Sequence, residues 1–328
     1  MTRNTVRKPR SSGNVSNSKP VESVVPGVYR IELPLPHHLD PLNVYLLEIR
    51  KSFTLIDAGM DTPQCFAALD QARQEIGFSW TALRELTISH YHPDHVGMAP
   101  RLLRISGARL RIARAEAEML GQMADHCAAE QWERSVLRGA GTPAPTIDDI
   151  EGAMHAVRGS FHPLHADLTV RNGEKIPCDA GDFEVVLTPG HSPEHLCLFN
   201  REQGLFFSGD HLLEKITPNI QWHPERDALG EYLESLRAVA KLDIDLVLPS
   251  HGRPFRGHRE WIDRAIAHHA QRCDQLEAAL RQSPKATAFE LTQELWTRRL
   301  SPFHLRFAIF ETLAHLEHLR RRGSMPRN

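Results

Sequence analysis

The segment Ser89-His90-Tyr91-His92-Pro93-Asp94-His95 puts four ligand-type side chains, His90, His92, Asp94 and His95, within a few residues of one another. Imidazole nitrogen and carboxylate oxygen suit first-row metal ions, zinc first, with iron and manganese as alternatives. In a strand-like run ending at His90, residues two apart face the same way, so His90 and His92 can converge on one ion. Once the chain turns, Asp94 and His95 can project toward a second point nearby. Three later positions also follow predicted strands: His191 after the run 183–188, Asp210 after 204–208, and His251 after 245–249. Singly, His191 and His251 read as turn residues and Asp210 as a cap. Recurring together at strand ends, where layered α/β folds gather their sites, they read as one set. No Gly-x-Ser-x-Gly elbow offers a protein nucleophile instead.

The elements that must position these residues are β-rich runs closed by turn residues and alternating with helices, which implies an α/β layered fold. Strands are expected over 28–33, 43–48, 52–57, 85–89, 167–171, 183–188, 196–199, 204–208 and 245–249, with helices over 62–76 and 229–241. Residues 113–160 are helical in propensity and broken between Gly139 and Pro145, as for a helical insertion forming a lid or pocket wall. Beyond Arg259 the strand signal ends. A connecting helix is expected over 259–282, then a small helical unit over 283–328. Thr287-Ala288-Phe289-Glu290 fits a capping box. Ser301-Pro302 places Ser at N-cap and Pro at N1, with Phe303, Phe307, Phe310 and Leu313 as the buried stripe and Gly323 as the stop.

A hydrophobic fraction of 41% and a charged fraction of 24% are those of an ordinary globular chain, and 328 residues suffice for a full core without disulfides. The five cysteines are scattered and form no C-x-x-C pair, which points to reduced thiols and a cytoplasmic protein. A net charge of −2 announces no nucleic-acid partner, and the apolar runs are too short to span a membrane. Residues 1–23 are basic and polar at their start, and read as a disordered tail ahead of a folded unit over 24–258.

The pattern His90-x-His92-x-Asp94-His95, followed in order by His191, Asp210 and His251, resembles the metallo-β-lactamase superfamily of hydrolases. Asp57, ending the run Ser-Phe-Thr-Leu-Ile-Asp, matches the superfamily's earlier strand-end aspartate, which supports the ligands from behind. The resemblance spans about residues 24–257. It implies an αββα sandwich with the site along one edge of the two sheets, followed here by a small winged-helix-like C-terminal domain. It also implies a ligand set: His90, His92 and His191 on one metal, Asp94, His95 and His251 on the other, Asp210 bridging. His195 is expected to support the ligands, and His211 to support them or line the pocket. Many members have Gly where this chain has Glu194, so that turn is expected to differ. The other histidines, including His37-His38 and His268-His269, are expected to be structural or solvated.

By that resemblance two divalent ions against two carboxylates and a bridging hydroxide leave a formal charge near +1, which favours developing negative charge. Such ions acidify bound water from a pKa of ~15.7 toward neutrality and polarise a carbonyl or phosphoryl oxygen. Asp94 is the expected catalytic residue, orienting the hydroxide and taking its proton. Tyr232 and His223 are candidates for protonating the leaving group, with surface roles as the plainer reading.

The leading expectation is hydrolysis of an ester, thioester or lactone, as in glyoxalase II-like and lactonase-like members, with the segment 210–220 and the insertion lining an apolar pocket for a small acyl substrate. An RNA or nucleotide phosphodiesterase is the second, because 303–323 resembles the tail of the β-lactamase-like protein group; the basic run Arg320-Arg321-Arg322 is more simply helix-end compensation. A mononuclear-iron dioxygenase of the persulfide type is the third. A dimer contact, or a wall of the cleft, is the simplest role for the tail.

Overall fold

The computed structural model describes residues 21–36, 41–168 and 170–323. Most of the basic tail, together with His37 and His38, lies outside them. The first sheet carries β1 (Val21–Val25), β2 (Val28–Leu33), β3 (Leu42–Ile49), β4 (Ser52–Ile56), β5 (Leu83–Ile88) and β6 (Arg109–Ile112), in that spatial order. The second runs β11-β10-β9-β8-β7, from β7 (Lys175–Ile176), β8 (Phe183–Leu187), β9 (Leu196–Asn200), β10 (Leu205–Gly209) and β11 (Leu246–Pro249). Residues 21–23, expected within the tail, belong to β1 instead: Val21 pairs with Ile31 and is buried.

Alternation along the strands sorts side chains into layers. On β3, Tyr45 and Leu47 face the second sheet, where they meet Phe183, Val185, Leu198 and Phe207. Val44 and Leu46 face the other way, onto α1 (Pro63–Ile76). That side also carries α2 (Pro93–Val96), α3 (Ala99–Ser106) and α4 (Arg114–Ala124). On β9, Cys197 and Phe199 turn away from the sheet interface toward helices that follow later in the chain. With both faces of each sheet covered, the central strands read as nearly continuous apolar runs, and the layers stack as α-β-β-α.

The insertion continues from α4 through α5 (His126–Gly139) and α6 (Ala144–Arg158), broken where Gly139 and Pro145 predicted. The second outer layer holds α7 (Ala228–Val239) and α8 (His258–Gln282), and the chain ends in α9 (Ala288–Leu295) and α10 (Pro302–Arg321). Both bonds of the Thr287–Glu290 capping box form. Among the described residues of 167–171, the expected strand is a single bridge between Leu168 and Arg111. Among the described residues no strand follows β11, so the tail is helical without a wing.

The tail is not a separate appendage. Ile309 and Phe310 of α10 and Phe289 of α9 share one apolar cluster with Leu137, Ile147 and Ile150 of the insertion. The expected aromatic stripe is only partly buried: Phe310 is enclosed, while Phe303, Phe307 and Leu313 stay half-exposed. Arg306 takes the buried position because Glu133 of α5 accepts its Nε at 2.9 Å, and the other Glu133 oxygen accepts Arg158 Nη2 at 2.7 Å. This Arg-Glu-Arg triad joins α10, α5 and α6. No described helix is long and apolar enough to cross a membrane.

Candidate metal centre

His90, His191, Asp210 and His251 each lie just past a strand, at the same edge of the two sheets. The turns that aim them depend on glycine at two points. Gly190 (φ +135°) sits where a Cβ would come within 2.4 Å of Tyr232, and Gly209 (φ +51°) where a Cβ would come within 2.6 Å of His195 Nε2. Any side chain there would push His191 or Asp210 off the rim. His92 precedes α2, with Pro93 at its first position, and the helical turn then presents Asp94 and His95. The loop after β11 is tied to the first sheet: Asn43 Nδ2 donates to the Pro249 and Gly252 carbonyls at 3.0 and 2.8 Å, and Tyr45 Oη to Pro249 O at 2.8 Å.

Two groups of ligand atoms result. His90 Nε2, His92 Nδ1 and His191 Nε2 lie 2.8, 3.2 and 3.3 Å from one another. Nitrogens around one tetrahedral zinc stand about 3.3 Å apart, so the triplet has the size of one face of such a site. In the second group, His251 Nε2 lies 3.3 Å from Asp94 Oδ2, and His95 Nε2 3.6 Å from the same oxygen. Asp210 belongs to both: Oδ1 is 3.6 Å from His95 Nε2 and 3.7 Å from His251 Nε2, while Oδ2 is 3.8 Å from His191 Nε2. His95 Nε2 and Asp210 Oδ1 are buried without a hydrogen-bond partner, a costly arrangement unless a cation lies between them. The donor set therefore fits divalent metal.

The rear atoms fix the tautomers. His191 Nδ1 donates to Asn219 O at 2.8 Å, leaving Nε2 bare. Asp57 (φ +61°) accepts Ser89 N–H at 2.7 Å on Oδ1, and on Oδ2 accepts Ser89 Oγ at 2.9 Å and His95 Nδ1 at 2.8 Å. His195 has both nitrogens engaged, Nδ1 with Thr188 Oγ1 at 2.9 Å and Nε2 accepting Asp210 N–H at 3.1 Å, so it braces Asp210 and offers no ligand atom.

Electrostatics divides the site. Burial holds the imidazoles of His90, His92 and His191 below their ordinary range, His92 at about 3, so all three are neutral donors. Burial acts the same way on His95 and His251. There Asp94 and Asp210 outweigh it, joined at His95 by Asp57, and both imidazoles are raised. Against their own burial, those imidazoles hold Asp94 and Asp210 below the usual carboxylate range. Without an ion, protons neutralise the acidic half, and a divalent ion would take their place.

The chain belongs to the metallo-β-lactamase superfamily, whose pattern it matches over residues 39–251; residues 273–328, from within α8 onward, match the metallo-beta-lactamase-like C-terminal domain. It is similar to the probable metallo-hydrolase YqjP of Bacillus subtilis, 25% identical with 88% of this chain and 91% of the relative covered. It also resembles the atrochrysone carboxyl ACP thioesterase of Aspergillus fumigatus, 23% identical over 74% of this chain and 60% of that protein. Among solved structures, a metallo-beta-lactamase family protein of Thermus thermophilus superposes with a TM-score of 0.81 at 29% identity, covering 93% of this chain and 97% of that one. A beta-lactamase domain protein of Burkholderia ambifaria gives 0.82 at 29% identity, covering 96% and 94%. The chain is a metallo-hydrolase by family.

Other expectations change. Tyr232 is wholly buried, donates to His211 O at 3.1 Å and cannot reach a substrate. His223 lines a cleft with Tyr91, His191, Ser192, Gln221 and Arg226, but burial lowers it to about 4, so it is neutral and holds no proton to give near neutrality. His211 is enclosed, its ring between those of Tyr232 and His195, so it faces no open cleft and sits behind the residue that braces Asp210. The segment 210–220 does not form one apolar wall as expected: Leu212 and Ile220 point into the core and Ile216 is 63% exposed.

Sequence reasoning missed Glu116 on α4. Its Oε2 accepts Tyr91 N–H at 3.0 Å, and its Oε1 accepts Ser192 Oγ at 2.8 Å and Glu194 N–H at 2.6 Å. Glu194 in turn accepts Ala115 N–H at 2.8 Å. Glu116 thus latches the insertion onto both ligand-bearing loops, and Glu194, at a position where many members have glycine, adds a second tie to one of them. The residue was the available signal; its partner Glu116, in a run of helix formers, carried none.

Proposed function

We propose that this chain is a two-metal hydrolase acting on a small ester, thioester or lactone, with zinc the first expectation for both ions. The observation that carries the reading is Asp210, whose two carboxylate oxygens face the two separate ligand groups. His90, His92 and His191 would hold one ion, Asp94, His95 and His251 the other. When bound, such ions supply water acidified enough to attack and a Lewis acid for the developing oxyanion. Asp94, more open to solvent than Asp210, is placed to orient the attacking water and accept its proton. A thioesterase among the relatives supports the acyl class, though fold alone does not choose a substrate.

The phosphodiesterase reading loses ground at the tail. Arg320 and Arg321 both bond the one carboxylate of Glu317 within α10, at 2.6–2.8 Å, so part of this charge is already compensated along its own helix. The test is elemental analysis coupled to a panel of acyl-thioester, ester, lactone and phosphodiester substrates. Two ions per chain with acyl turnover, both lost in Asp210→Ala, is the expected result. One iron per chain with sulfur-dependent oxygen uptake, or full activity in Asp210→Ala, overturns the reading.

A further inference from the structure

The segment 219–222 crosses behind the first ligand group, and the terminal helix α10 fastens it at three points. Asn219 Nδ2 donates to Glu311 Oε2 at 2.8 Å and to Phe307 O at 3.2 Å. Gln221 Oε1 accepts Arg306 Nη1 at 2.8 Å, and Trp222 N–H donates to Phe310 O at 3.2 Å. Between them Ile220 is fully buried. The carbonyl of Asn219 is the same group that receives His191 Nδ1–H at 2.8 Å. One residue thus faces the ligand with its backbone and the tail with its side chain.

The geometry points to α10 as part of the metal site, with Asn219 and Glu311 as positioning residues that set the orientation and tautomer of His191. The inference rests on the reading of His191 as a ligand. His191 can present Nε2 only while Nδ1 has an acceptor, and a carbonyl on a short connecting segment is only as fixed as its anchors. Of those anchors, Asn219–Glu311 is the side-chain pair on the same residue as the carbonyl. The tail is then neither a wing nor a separate binding module. It is the support of a ligand contributed by the second sheet.

The experiment uses the full chain, comparing Asn219→Ala, Glu311→Ala, Glu311→Gln and Leu319→Ala with the parent. Metal content, chelator competition and the visible spectrum of the cobalt(II) form are read alongside thermal unfolding. Glutamine keeps an oxygen for Asn219 Nδ2. Leu319 is buried in the last turn of α10, two turns beyond Glu311, and makes none of the bonds to 219–222, so its truncation weakens the tail without removing the anchor. Asn219→Ala and Glu311→Ala are expected to lower the affinity for one of the two ions by about 10–100-fold and to alter the cobalt spectrum. Glu311→Gln should restore both, and Leu319→Ala should lower the unfolding temperature while leaving affinity and spectrum as in the parent. Two ions held at parental affinity in Asn219→Ala and Glu311→Ala overturn the positioning role alone. Loss of metal in Leu319→Ala to the same extent overturns it as well, because the tail would then act only through stability. A parent chain that binds no metal overturns the underlying metal reading instead.

Discussion

Asp57→Asn isolates the tautomer of His95 from everything else the strand end does. Asparagine tolerates the left-handed conformation at φ +61°, so the backbone is not strained, and the side chain keeps its size. The native carboxylate accepts three hydrogen bonds, one from the Ser89 amide and two on Oδ2 from Ser89 Oγ and His95 Nδ1. In one amide orientation the new NH2 faces Nδ1, which must then become an acceptor; the proton moves to Nε2, the atom that faces Asp94 and Asp210. In the other orientation the NH2 meets the Ser89 N–H, donor against donor. Either way one buried donor is left unpaired, at about 1–3 kcal/mol, when His95 turns a bare Nε2 to an ion. That corresponds to a loss of roughly 10–100-fold in affinity at the ion held by His95. Competition with a chromophoric chelator, backed by elemental analysis, reads it directly. An Asp57→Asn chain that keeps both ions at parental affinity refutes the tautomer argument.

Glu133→Ala leaves Arg158 and Arg306 buried and facing each other without a counter-charge, and chemical denaturation should show a loss of about 3–5 kcal/mol. Arg158→Met, Glu133→Leu and Arg306→Met together should recover most of it; a loss under about 1 kcal/mol in the single variant would contradict the burial argument. Burial raises Glu116 from 4.5 to about 7 against the pull of its three donors. Because the folded state holds the proton more tightly, that contribution to stability is complete below pH 4.5 and is lost as pH rises toward 7. Relative to Glu116→Gln, the parent should therefore lose up to about 3 kcal/mol across that window, and parallel stability–pH curves for the two chains would show that Glu116 does not titrate there.

The sequence exposed the parts of this molecule that depend on neighbours along the chain. β-rich runs closed by turn residues located β2, β3, β8 and β10 to within a residue or two, and the box at Thr287–Glu290 is local by construction. Four of the seven proposed ligands, His90, His191, Asp210 and His251, lie just past a strand, so their meeting at one edge follows from the layering. What stayed hidden depends on partners far away in sequence. Arg306 is buried because of Glu133, 173 residues earlier, and a hydropathy stripe places apolar Phe303 and Phe307 there instead. Glu116 and Asn219 have residue types common in helices and turns, and their roles exist only once the loops they hold have come together. The run 167–171 has strand propensity, but β6 offers it a single pairing at Leu168. Tyr232, placed in sequence near a metal-binding segment, is carried by α7 into the core.

The apolar cluster shared by the insertion and the tail has a consequence for synthesis. Leu137, Ile147 and Ile150 leave the ribosome about 150 residues ahead of Phe289 and Phe310, which complete their burial. At typical elongation rates that gap lasts on the order of 10 s, far longer than helices take to form. For that interval α5 and α6 present an uncovered apolar face on a nascent chain whose second sheet, β7 to β11, is itself still being made. Helices α9 and α10 therefore close a face left open through much of synthesis, and a chain released short of residue 300 would keep part of that face exposed.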